Sequence, residues 1–507
     1  MHALLLTIFV DTVGFGIILP LLPFFAEKFG ASPLEVTLLA TVYSFSQFIF
    51  APVWGRFSDR MGRRPIILAT LTGLFCGYVA LTITNSLLML FSCTQTDLIT
   101  DPEKLDGIID RYVSEDFFPF LYVRLEDRNG VVMYEHSAVN DSALYGVAVD
   151  GSTLIRIWSM SKIVTISIIM DLVENNTISL DDPVSNYIPE FKHLKVAQSP
   201  DGRTLSTFGT GSTFGTPMDS RTELACPLEL VENDSVMLVR HLIDHTAGFY
   251  YANTKMECIN DLIINEDPVM ASNSDSLINI LSRLPLIHHP GERSHYGLNT
   301  TVLGLVAERA TGLTLEEMIS RLITGPGKIS GLKFKLDEGE KLIPTMTYRD
   351  GYFRTPEKGE MDILGNNTPG YDRKQKLYLG GSGLIATANA FCDYLRLWIN
   401  NGKINNHKFL DEKTISNIAT SVKTKTKHGT DTGFFFFITG DSTLIEKRGD
   451  KGLWQGGGYE GTNFWIDKKR GFVAVTMTQT WWPKDGAYEF QDEFRGEIYR
   501  QIFLSEK

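Results

Sequence analysis

Ser159-Met160-Ser161-Lys162 sets a lysine three residues beyond a serine, a spacing that one helical turn converts into side-by-side placement. A serine hydroxyl is a weak nucleophile and needs a base and surroundings that favour its alkoxide. At a helix start the dipole favours negative charge, and an ammonium desolvated there gives up its proton more easily. The spacing alone is a weak signal, because Ser330-Gly331-Leu332-Lys333 repeats it. Context separates the copies. Ile157-Trp158 before the first reads as a buried strand end and Ile163–Leu172 behind it as an apolar helix, whereas the second starts Ser-Gly and has no such helix.

The elements that must hold this serine lie on both sides of it. Phe120–Leu125 and Val131–Glu135 flank Asp127-Arg128-Asn129-Gly130, an Asn-Gly turn between apolar strands and hence a hairpin. An amphipathic helix is expected over Lys162–Asn175, with Leu180-Asp181-Asp182-Pro183 in the turn beyond it. Val302–Thr311 is a second helix, closed by Gly312, and Thr462–Asp467 and Gly471–Gln479 are apolar, β-branched strands. Pro200–Ser220, rich in Gly, Ser and Thr, reads as a surface insertion.

Four ordered blocks resemble the serine β-lactamase and penicillin-binding-protein-like superfamily, in its class C and esterase branch. They are Arg156–Lys162 with Leu180–Val184 and Tyr187–Phe191, then Val239–Phe249, then Pro290-Gly291 with Tyr296, then Gly381-Ser382-Gly383-Leu384. The resemblance implies Ser159 as the acylated nucleophile, Lys162 as its proton partner and Tyr296 as general base or proton shuttle. Leu298 stands where lactamases keep an Asn that binds a lactam amide; Asn299 follows at once, so a one-residue slip would restore it. Counting back from Gly461 sets Gln455-Gly456-Gly457 in register with the family's third motif, a register shifted by one residue being the alternative. The N–H after it, that of Gly458, then joins that of Ser159 as the oxyanion hole. No cation stands in that motif, which disfavours carboxylate-bearing substrates. His245, Asp181 and Asp182 read as turn residues, while Trp481-Trp482 could line a pocket.

The first ninety residues differ in kind. Ala3–Phe25, Val36–Val53 and Pro65–Phe91 are apolar runs near the length of roughly 20 residues that spans hydrocarbon. Between the last two lies a loop with Arg56, Arg60, Arg63 and Arg64, which the positive-inside rule sets in the cytoplasm. Gly55, Asp59, Arg60, Gly62, Arg63 and Arg64 resemble the loop signature of the major facilitator superfamily, and Asp11 with Gly14 and Gly16 its drug-antiporter branch. Leu90-Phe91-Ser92-Cys93 resembles a lipobox, with Cys93 as the lipidated residue; an ordinary cysteine at a helix end is the alternative.

The expected fold class is therefore three transmembrane α-helices, then an α+β β-lactamase-like domain with an antiparallel sheet flanked by helices and a helical subdomain. The expected domains are 1–92 in the membrane, a linker over 93–104 and a hydrolase domain over 105–507. Three spans would put that domain on the extracytoplasmic side, so the localisation read here is multi-pass membrane. The chain carries a formal charge of −12. Residues 1–92 hold five Lys/Arg against four Asp/Glu, so the remainder carries −13. An acidic domain argues against nucleic acid. Five scattered cysteines, with no CxxC pair, imply neither a metal site nor a cofactor, and leave a single Cys226–Cys258 bridge open. The expected partners are membrane lipid and a small ester, β-lactam or D-alanyl peptide. A transporter and a catalytically inactive binding module are the competing functions.

Overall fold

The computed structural model describes residues 98–198, 228–252, 257–360, 363, 368–405, 407–420, 424–425, 431–433, 436–440, 449–481 and 483–505. Its centre is an antiparallel sheet whose strands follow from simple alternation. We label them β1 (Phe120–Asp127), β2 (Val132–Val139), β3 (Thr424–Lys425), β4 (Asp431–Gly433), β5 (Phe436–Ile438), β6 (Trp454–Gly457), β7 (Asn463–Asp467) and β8 (Phe472–Met477), in the spatial order β3-β4-β5-β6-β7-β8-β1-β2. The expected hairpin joins β1 to β2, with Gly130 in the left-handed region at φ 84°. Successive side chains of a strand point to opposite faces. Leu121, Val123, Leu125, Trp465, Phe472 and Ala474 accordingly enter one apolar cluster, while Phe120, Tyr122, Phe464, Ile466, Val473 and Val475 enter another. The sheet is buried on both faces, and helices must cover each.

On the first face lie α1 (Pro102–Ser114) and, from the chain's end, α5 (Glu489–Ser505), which brings Phe490, Phe494 and Ile498 into that cluster. Asp101 caps α1 by accepting from Lys104 N at 3.2 Å, so helix begins inside the stretch expected as linker. On the second face lie α2 (Ser161–Glu174), α3 (Asn299–Thr311) and α4 (Ala388–Ile399). The sequence suggested an amphipathic α2. Instead every residue from Ser161 to Leu172 is buried, as befits a helix enclosed by neighbours on all sides. Each of its large apolar side chains contributes about 1.5–3 kcal/mol of burial. Gly312, at φ 70°, ends α3 where expected. Leu98–Lys507 form one compact unit.

One expectation is corrected. The fold class read from sequence began with three transmembrane helices, but among the described residues no helix is long and apolar enough to cross a membrane. The longest of them, α5, has 17 residues and carries Asp492, Glu493, Arg495 and Glu497. An apolar run of spanning length is a condition for such a helix and does not by itself amount to one. The three runs, Asp11, Gly55, Asp59, Arg60, Gly62, Arg63, Arg64 and Cys93 lie outside the described residues, as do Pro200–Ser220, Cys226 and Trp482. The fold that stands is the α+β one, an antiparallel sheet with helices on both faces.

Candidate active site

Ser159 lies in a single 3-10 turn, Trp158–Met160, that passes directly into α2. Trp158 has a φ of 44°, a left-handed conformation that costs a bulky residue on the order of 1–3 kcal/mol. The strain is held by bonds around the turn. Ile157 N donates to Leu384 O at 3.2 Å, and Leu384 N to Ser161 Oγ at 3.0 Å. The Gly381–Leu384 block is thereby fastened to the start of α2.

Ser159 Oγ has two polar neighbours. Lys162 Nζ is 3.1 Å away, and Tyr296 OH donates to it at 2.7 Å. Lys162 is fully buried and also reaches Gly381 O at 2.7 Å and Tyr251 OH at 3.1 Å. Its Nζ lies 4.8 Å from the Tyr296 ring centre and 5.6 Å from that of Tyr251. Burial holds the Lys162 amine well below its ordinary range, and burial raises the Tyr296 and Tyr251 hydroxyls above theirs. These conditions favour the uncharged form of the amine and the protonated form of both phenols. Ser159 is half-buried and Tyr296 as a residue is 38% exposed although its hydroxyl is enclosed, so the cluster is reached from solvent.

Tyr251 escaped the sequence reading. It lies six residues past His245, in a run of aromatics that looks like core, and only the fold turns its hydroxyl to Lys162. His245 is a turn residue, at φ 55°, and its ring packs 5.0 Å from that of Tyr296. Burial, then Lys162 and His295, pull its pKa down to about 3, so it is neutral in the working range. Asp182 accepts from Tyr187 OH at 2.6 Å and from Ser179 N at 2.8 Å, and Asp181 pairs with Arg240. Lys333 of the second Ser-x-x-Lys copy forms ion pairs with Asp337 and Glu340.

The glycine run divides between the two faces. Gln455 pairs with Trp465 across β6 and β7 and shares its face, where Arg495 of α5 donates to its Oε1. Its side chain is thus turned away from Ser159. Gly456, opposite Phe464, lies on the side of α2 and α4. A Cβ on Gly458 would stand 2.6 Å from Ile157 O and 2.2 Å from Thr462 Oγ1, so only glycine lets this hairpin approach the segment that carries the nucleophile. The Gly458 N–H, expected as an oxyanion donor, instead donates to Thr462 O at 2.8 Å. Leu298 is buried at the entry to α3. The Asn299 amide donates to Phe249 O and His295 O at 3.3 and 3.1 Å, so a one-residue slip does not bring it to the serine. Among the described residues no group of His, Cys, Asp or Glu could hold a metal ion.

The family model for beta-lactamase matches residues 108–495. The chain belongs to the beta-lactamase family. A solved member of this fold, EstCE1, described as a hydrolase with promiscuous acyltransferase activity, superposes on this beta-lactamase domain with a TM-score of 0.63. It is 19% identical and covers 80% of this chain and 98% of its own. An uncharacterized Mycobacterium tuberculosis protein is 25% identical over 53% of this chain and 60% of its own length, so the chain spans about three fifths of that curated relative. Residues 4–94 match the Major Facilitator Superfamily model. There the chain is 39% identical to the class B tetracycline resistance protein of Escherichia coli, over 18% of this chain and 23% of that protein.

Proposed function

We propose that this beta-lactamase-family chain is a serine hydrolase that cleaves uncharged esters through an acyl-enzyme on Ser159. The observation that carries the reading is the convergence of Lys162 Nζ and Tyr296 OH on Ser159 Oγ at 3.1 and 2.7 Å. In acylation the Ser159 proton passes to the neutral Lys162 amine as Oγ bonds to the ester carbon. The tetrahedral oxyanion meets the Ser159 N–H and the turn that begins at Gly458. When the ester C–O bond breaks, the alkoxide takes a proton from the Lys162–Tyr296 pair. Water then repeats the sequence and frees the acid. An alcohol in place of water would give acyl transfer, the second activity printed for EstCE1.

Leu298 offers no amide to a β-lactam, and Gln455 neither carries a cation nor faces the serine. We therefore rank ester substrates above β-lactams and both above D-alanyl peptides. Loss of one charged and one neutral contact costs a lactam on the order of a hundredfold. Ser159→Ala should lower nitrophenyl butyrate turnover by about 10⁴-fold while the circular dichroism stays unchanged. Turnover at the wild-type level in that variant overturns the nucleophile assignment. A chromogenic cephalosporin kcat/KM at or above the ester's overturns the ranking.

Membrane association through residues 4–94 is proposed on the family match there. Cys258 is disulfide-bonded, and disulfides persist in oxidising compartments, which supports an extracytoplasmic domain. Protease added to intact spheroplasts should digest it. Protection until lysis would contradict that side.

A further inference from the structure

Beside the catalytic cluster lies a carboxyl group that the proposed chemistry does not use. Glu460, at the tip of the β6–β7 hairpin, is fully buried. Its Oε1 accepts from Thr345 Oγ1 at 2.9 Å and its Oε2 from Gln479 Nε2. Gln479 Oε1 accepts in turn from Arg156 N at 3.3 Å, and Arg156 Nη1 donates to Thr345 Oγ1 at 3.2 Å. Two main-chain bonds run in parallel: Thr480 N donates to Glu460 O and Met346 N to Gln479 O, both at 3.0 Å.

The loop of bonds joins two parts of the site that are far apart in sequence. Arg156 lies three residues before Ser159, on the strand that delivers the strained Trp158. Glu460 lies two residues after Gly458, in the turn whose backbone faces that strand. The Tyr459 ring between them meets the Trp158 indole at 5.3 Å, edge to face. Burial raises the Glu460 carboxyl, while the charge of Arg156 and the donors of Gln479 and Thr345 pull it back. A buried carboxyl group is retained at such a place only where its partners satisfy it.

We infer that Glu460 is a positioning residue that fixes the glycine hairpin against the nucleophile turn through Thr345, Gln479 and Arg156. It touches neither substrate nor the reacting atoms. It acts on the distance between Ser159 and the backbone amides beyond Gly458, a distance to which oxyanion stabilisation is sensitive. The inference rests on the Ser159 hydrolase reading and deepens it.

The test compares Glu460→Ala, Glu460→Gln and Thr345→Val in the full chain, with Ser159→Ala as control. Glu460→Ala removes every side-chain bond of the carboxylate, and kcat for the aryl ester should fall by about 30-fold with KM within about threefold. Glu460→Gln can still accept from Gln479 and reach Thr345, and should recover kcat to within about threefold of wild type. Thr345→Val keeps the shape, deletes one donor, and should cost about threefold to tenfold in kcat. It remains informative should the alanine variant not fold. Melting temperature is read alongside. Wild-type kcat in Glu460→Ala or in Thr345→Val overturns the positioning role. So does a kcat loss in Glu460→Gln as large as in Glu460→Ala, or a loss that merely tracks the unfolded fraction. Turnover that persists in Ser159→Ala would instead refute the underlying hydrolase reading and is distinguishable from all of these.

Discussion

The helical side of the site and its hairpin side are built differently. On the helical side, Ser159, Lys162, Tyr251 and Tyr296 touch through side chains, and the 3-10 turn that runs into α2 sets Ser159 beside Lys162. On the hairpin side, Gly456, Gly457 and Gly458 offer only backbone, and the side chain that fixes them, Glu460, points away from the chemistry. Side-chain chemistry can be read from residue types and spacing. Backbone chemistry depends on strand register and on which face each residue takes. The contrast also separates roles: substitutions on the first side change protons, and those on the second change geometry.

Lys162→Met sharpens this contrast most, with kcat expected to fall by about 10³-fold because the serine loses its proton acceptor. Its stability should move the other way. Burial holds the Lys162 amine well below the ordinary 10.5, so near neutral pH the folded chain binds fewer protons than the unfolded one. Stability then rises with pH across the interval between the lowered value and 10.5, and falls as pH drops through that interval. Melting curves from about pH 6 to 9 should show this slope in the wild type and lose it in the variant. An unchanged slope would mean that Lys162 keeps its proton in the fold. Activity should follow the same sense, rising with pH as the amine is freed, with the Lys162–Tyr296 pair titrating jointly.

Gly458→Ala probes the other side without touching a proton donor. Its methyl meets Ile157 O and Thr462 Oγ1 at 2.6 and 2.2 Å, so the hairpin must retreat. A kcat loss of about 100-fold is expected, with the shape of the pH profile unchanged. A shifted profile would erase the distinction between the sides. Tyr251→Phe removes one partner of Lys162 and should cost about tenfold in kcat, with a moved basic limb, which steady-state rates across pH would register. Gln455→Ala should change kcat/KM by less than about twofold, because its amide serves Arg495 on the opposite face. A larger loss in a nitrophenyl ester assay would restore it to the site.

The same division explains what was legible in the sequence. The Asn129-Gly130 turn, the helix closed by Gly312 and the last two strands follow from local chemistry, and each forms within a few residues of its expected bounds. Ser159, Lys162 and Tyr296 follow as candidates from ordered blocks in the chain, and the fold brings the three side chains together. Gln455 and the Gly458 N–H were assigned by counting residues, and a one-residue shift on a strand sends every side chain to the other face. Tyr251 and Glu460 carry no local signal at all, since one looks like core and the other like a turn carboxylate. Polar Ser167 and Asp171 interrupt the apolar run of α2, yet both are buried, and Ser167 bonds within the core to Val164 O at 2.7 Å. The apolar runs of the first ninety residues suggest spans from length and hydropathy alone, and they lie outside the described residues.

The central claim is that Ser159 is an activated nucleophile, and covalent labelling tests it without a choice of substrate. The full chain is treated with a fluorophosphonate and digested, and its peptides are read by mass spectrometry. A single phosphonate adduct on Ser159, absent after prior acylation by a slow ester, is the predicted result. An unlabelled Ser159 in folded protein, or an adduct on another serine such as Ser161 or Ser330, would contradict the account.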